Sequence, residues 1–179
     1  MNKQIENFFS DLESKDDPKR LKALKAVLHA TEAKVDWIYD KWDWLINKLN
    51  DENSFQRSIS IMILCNLAVS DSKKKMSDIL KAILSHTKDE KFITSRQTIQ
   101  NIWKIAVAIP NLKTEIVGHL SKRFKECITE KHYNLIRQDI IQSMKAMDDQ
   151  AVYAQAMALV EKEQDPKYKK KIIAILNAN

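Results

Sequence analysis

One glycine and three prolines in 179 residues leave this chain few means of turning tightly between strands. Ordinary soluble proteins carry ~7% glycine and ~5% proline. Hairpin turns and dinucleotide-cradling loops both depend on glycine. All-β and Rossmann-type architectures are therefore all but excluded. The abundant residues, Leu, Ile, Lys, Ala, Glu and Gln, are mostly good helix formers. The expected fold class is all-α.

Apolar residues recur with helical period along nearly the whole chain. The pattern breaks at 15–18, 50–53, 70–72, 88–90, 110–111, 129–130, 148–149 and 164–166. These breaks delimit about ten helices joined by short connections, the pattern of packed antiparallel neighbours. Every second break is an acidic turn that opens a helix: DDPKRLKALKAVL, DENSFQRSISIMIL, DEKFITSRQTIQNIW, EKHYNLIRQDIIQSM and DPKYKKKIIAIL. Aligned on Lys22, Arg57, Arg96, Arg137 and Lys169, these segments recur at about 40 residues, and each follows an amphipathic helix. Asp17-Pro18 and Asp165-Pro166 read as a capping acceptor followed by a first-turn proline.

An acidic turn followed by a cation in the first turns of a second helix resembles the HEAT/armadillo-type α-solenoid family. The resemblance covers essentially the whole chain, although the first and fifth repeats carry Lys in place of Arg. It implies an α-α superhelix, a right-handed HEAT-like solenoid of about five helix-turn-helix repeats. Their approximate bounds are 1–31, 32–70, 71–109, 110–147 and 148–179, within a single domain. It also implies that Arg57, Arg96 and Arg137 form a structural ladder with acidic partners. The second helices would line the concave face.

On that face, positions one, five and eight beyond the anchor give Gln97, Asn101 and Lys104 in repeat three. In repeat four they give Gln138, Gln142 and Lys145. This recurring amide, amide, lysine pattern is a candidate binding strip for an extended peptide or for phosphates. A second candidate lies in VDWIYDKWDWLINKL, which holds three of the four tryptophans. Placed on one helix, Val35, Ile38, Trp42, Leu45, Ile46 and Leu49 share an apolar arc. Trp42 is then core, while Trp37, Lys41, Trp44 and Lys48 form a stripe on the opposite face. That stripe either caps a groove between repeats or anchors a partner.

The net charge of +6 permits an anionic partner without requiring one, because 24 acidic residues are interspersed with 30 basic ones. Cys65 and Cys127 form no paired framework and read as buried thiols of a reducing compartment. The stretch MNKQIENFFSDLES is too polar for a signal peptide, and no apolar run reaches membrane-spanning length. The expected location is cytoplasmic, with no membrane association.

The four histidines show no metal-ligand spacing, and there is no P-loop, GxGxxG or GxSxG motif. No metal, cofactor or catalytic residue is expected. Gly118, alone within a helix, reads as relieving crowding at a helix crossing. The expected function is a non-enzymatic scaffold that binds another protein or peptide. The alternative is a nucleic-acid binder, extending to a divergent alkylated-base DNA glycosylase. HEAT-like solenoids include such enzymes, and Trp42-Asp43-Trp44 superficially resembles their site.

Overall fold

The computed structural model describes residues 3–178, and the chain is all-α, with no strand among the described residues. The outermost residues of the first and fifth expected repeats, 1, 2 and 179, lie outside the described residues. The chain divides into two compact units, one running to Thr98 and the other starting at Ile99.

The first unit contains α1 (Lys3–Asp11), α2 (Asp17–Ala30), α3 (Trp42–Leu49), α4 (Ser54–Leu67), α5 (Met76–Ser85) and most of α6 (Phe92–Asn101). α1 packs on α2 and α3 on α4, while α2 also packs on α4 and α3 on α5. α4 is buried along most of its length, with Ile61, Ile63, Leu64, Cys65 and Leu67 fully enclosed. Hydrogen bonds tie α4 to its neighbours within the unit. Gln56 Nε2 donates to Leu12 O at 2.9 Å, Asn66 Nδ2 to Leu28 O at 3.0 Å, and Ser58 Oγ to Thr94 Oγ1 at 3.0 Å. Each satisfies polar groups that burial would otherwise leave unmet.

The second unit holds α7 (Trp103–Ala108), α8 (Pro110–Glu126), α9 (Tyr133–Lys145), α10 (Gln150–Val160) and α11 (Pro166–Asn177). Each of these helices packs on the next, and α8 also meets α10 while α9 meets α11. Its core is formed by Ile105, Ile116, Leu120, Phe124, Ile136, Ile140, Met144, Val160 and Ile172.

Helix starts follow capping chemistry. Asn53, Asp149 and Asp165 cap α4, α10 and α11 by accepting backbone N–H bonds. At α2 the expected cap moves by one residue: Asp16, not Asp17, accepts from Lys19 N at 3.1 Å. Pro18 consequently sits in the second helical position, whose N–H also lacks an intrahelical partner.

Three further expectations change. VDWIYDKWDWLINKL is not one helix. A 3-10 turn over Ile38–Asp40 precedes α3, which starts only at Trp42. The stretch 91–109, expected as a single helix, loses its ladder at Ile102, whose backbone stays right-handed helical. Gly118 is exposed, and a Cβ built there meets nothing within 4 Å, so no helix crossing explains it.

Candidate functional site

The aromatic stripe is covered from within the chain. Trp37 is only 7% exposed, close to the 5% of Trp42. The Phe9 ring of α1 meets Trp37 edge-on at 5.7 Å and Trp44 edge-on at 5.2 Å. Lys41 Nζ lies 5.3 Å from the Phe9 ring and pairs with Glu6 at 2.9 Å. Lys48 Nζ lies 5.7 Å from the Trp44 ring and pairs with Glu13 and Asp51, both at 2.9 Å. Glu13 and Asp51 raise the affinity of Lys48 for its proton, Glu13 foremost and against the cost of burial. Helix α1 thus takes the place of an external partner. The single-helix assumption hid this, because only Trp42 and Trp44 share α3. Trp42 is buried and Asp43 exposed, so Trp42-Asp43-Trp44 does not converge as a base-binding site.

Arg57 and Arg137, two of the expected ladder arginines, each pair with a carboxylate. Arg57 is bidentate to Asp89, with Nε to Oδ2 and Nη2 to Oδ1 both at 2.8 Å. Its Nη1 donates to Asp51 O at 2.8 Å. Arg137 pairs with buried Glu163 at 2.5 Å and donates through Nε to Phe124 O at 3.0 Å, with its guanidinium 4.5 Å from the Phe124 ring. Arg96 lies 5.7 Å from the Phe92 ring.

In the first helical pair the anchor is Arg20 rather than Lys22. Arg20 Nη1 donates to Ser14 O at 2.8 Å, six residues back, as Arg57 does to Asp51 O. Lys22 is exposed. Counting four residues from the caps Asp16 and Asn53 would have found Arg20.

The polar strip does not have uniform chemistry. Gln97 belongs to the first unit and is half-buried. In the second unit, Lys104 Nζ donates to Asn101 Oδ1 at 2.7 Å and lies 6.0 Å from the Trp103 ring. Gln138 is half-buried and Gln142 exposed. Lys145 donates to the end of α11, to Ile175 O at 3.0 Å and to Ala178 O. It closes carbonyls at a helix end rather than marking a groove rim.

One strip residue, Gln142, belongs to a cavity that strip counting missed. Gln100, Trp103, Asp139, Gln142, Ser143 and Ala146 line a half-open hollow of about 470 Å³ in the second unit. Asp139, Gln142, Ser143 and Ala146 stand at i, i+3, i+4 and i+7 of α9, the spacing of one helix face. Three of the four have short side chains, so this face cannot fill the space toward Gln100 and Trp103. Asp139 is 3% exposed, and its Oδ1 accepts from Gln100 Nε2 at 2.8 Å. Ser143 is 2% exposed, and its Oγ has no hydrogen-bond partner. A buried hydroxyl left unmet costs about 1–3 kcal/mol.

The legible sequence signal was the polar pair Asp139 and Ser143, four residues apart within the apolar run of α9. Among the described residues, no cluster of three or more His, Cys, Asp or Glu side chains could hold a metal ion, and no helix is long and apolar enough to cross a membrane.

No family model and no curated protein matches the chain. Solved structures do match in fold, two of them engineered proteins from the Northeast Structural Genomics Consortium. One aligns at TM-score 0.59 and 13% identity, covering 98% of this chain and 78% of its own. The other aligns at TM-score 0.60 and 14% identity, covering 98% and 80% respectively. At this identity the likeness is one of fold alone.

Proposed function

We propose that this chain is a HEAT-like solenoid of helix-turn-helix repeats that works as a non-enzymatic binding module for a protein or peptide. The solenoid part is supported within each unit by helices that pack on the next helix and on the next but one. The anchors Arg20, Arg57 and Arg137 and their turn partners add to it. Two buried free thiols suit a reducing, cytoplasmic setting.

The observation that carries the binding role is the polar cavity along α9. Its lining combines an aromatic ring, two amides, a carboxyl group and an unmet hydroxyl. This is the mixture of apolar wall and few convergent polar groups that ligand pockets use. A paired Gln100→Ala and Gln142→Ala variant tests it. Against a displayed peptide library, the parent should enrich a peptide family that the variant no longer retains, although the variant still melts cooperatively, at a temperature lowered by the lost Gln100–Asp139 bond. Enrichment indifferent to the substitutions, or none at all, overturns this reading.

The second reading is a nucleic-acid binder, extending to glycosylase-like base recognition. Trp103 beside Asp139, together with the +6 net charge, favours it. Phosphate contacts would make duplex DNA affinity fall steeply between two salt concentrations. Binding absent at low salt removes this alternative.

A further inference from the structure

We infer that the α9 cavity is a receptor for a guanidinium group, presented by an arginine side chain of a peptide or protein. The inference rests on the binding-module reading and names the chemistry of its ligand. Three observations converge. Asp139, enclosed in the wall, offers acceptor oxygens, and the Gln100 amide fixes its orientation through a 2.8 Å bond to Oδ1. Ser143 lines the same space, and its buried Oγ has no partner within the chain. Trp103 supplies an aromatic wall.

Guanidinium is planar, has five donors and no acceptor, and stacks on aromatic faces. It can donate to the carboxylate and the hydroxyl at once while lying against the indole. None of the six lining residues is basic, so the walls offer an anion such as phosphate no counter-charge. Lys104, next in sequence to Trp103, is not among those six. An ammonium group would fit less well, being compact, strongly hydrated and without a stacking plane. Gln142, exposed on the same helix face, is placed to meet the backbone that carries the arginine.

The test is an NMR titration of the full chain with acetyl-Gly-Arg-Gly-amide, beside its lysine and citrulline counterparts. The arginine peptide should shift the Trp103 indole N–H, assigned through Trp103→Phe, and the α9 backbone amides. Citrulline keeps the shape but lacks the charge, and should bind at least about tenfold more weakly, as expected for losing a charge-assisted hydrogen bond. Asp139→Asn should cause a similar loss. Ser143→Ala should weaken binding about three- to tenfold while leaving the melting temperature equal or higher, because it removes a hydroxyl unmet in the free chain. It also keeps the test decisive should Asp139→Asn unfold the protein.

Unmoved signals overturn the inference, as does equal affinity for citrulline or undiminished affinity in the Ser143→Ala chain. A chain that retains its library peptides yet ignores the arginine peptide overturns this assignment and leaves the binding-module reading standing. Duplex DNA bound in place of the peptide, with the same Ser143 dependence, overturns both.

Discussion

The three neighbouring tryptophans show how burial at a single residue depends on elements remote in sequence. Trp37 lies outside α3, yet Phe9 of α1 encloses it as fully as the helix hairpin encloses Trp42. Trp37→Ala and Trp42→Ala should therefore each destabilise by roughly 3–5 kcal/mol in chemical denaturation, the range for buried tryptophan truncations. Trp44→Ala, at a half-buried site, should cost clearly less. A Trp37 variant as mild as the Trp44 variant would mean that α1 does not hold the ring in solution. Gly118 gives the opposite case: it is exposed inside α8, with open space where a Cβ would stand. Gly118→Ala should stabilise by about 1 kcal/mol through helix propensity. A loss of stability there would point to a close contact on that face.

At the scale of the helix hairpin, Arg57 and Asp89 join the turn of one hairpin to that of the next. Burial pushes the Asp89 carboxyl group up. Hydrogen bonds from Arg57, the Lys91 N–H and His86 outweigh burial and bring it down to about 2. A depressed carboxylate contributes stability above its unfolded value near 3.8 and loses it as pH falls through about 2. With the side chain 3% exposed, this contribution is roughly 2 kcal/mol. Denaturation at stepped pH should show the parent losing stability between about pH 4 and 2. Asp89→Asn should be less stable at neutral pH and flatter across that window. An equally steep Asn variant would place the acid sensitivity elsewhere.

The hairpins were legible in sequence because capping acceptors and apolar periodicity are local signals. The cap at Asp165 fell where expected, and the cap of α10, Asp149, lies at the break expected over 148–149. The 3-10 turn before Trp42 was not legible, because periodicity reports which residues are buried and not which backbone hydrogen bonds form. The cavity was only half legible. Asp139 and Ser143 stand out on α9, but the hollow exists because Gln100 and Trp103, some 40 residues earlier, face short side chains.

Across the whole molecule, the solenoid reading makes stability a sum of local terms between neighbouring repeats. Removing the residues from Asp148 onward tests this, because it takes away α10 and α11 together. The cut strips Glu163 from Arg137 and uncovers the surfaces of α8 and α9 on which α10 and α11 pack. It also frees Lys113 from Asp149, a 2.8 Å pair at the start of α10. These losses are confined to neighbours of the deleted hairpin. The shortened chain should keep a helical circular dichroism spectrum and a cooperative melt, at a lower temperature than the parent. In a closed bundle the same cut would open the core that every helix shares, and helical signal would vanish throughout. Complete loss of helix would thus remove the repeat architecture, whereas a folded remainder with a lowered melt agrees with nearest-neighbour stacking. Hydrogen exchange on the remainder sharpens the distinction: amides of α2 and α4 should keep the parent's protection, while those of α8 and α9 should exchange faster.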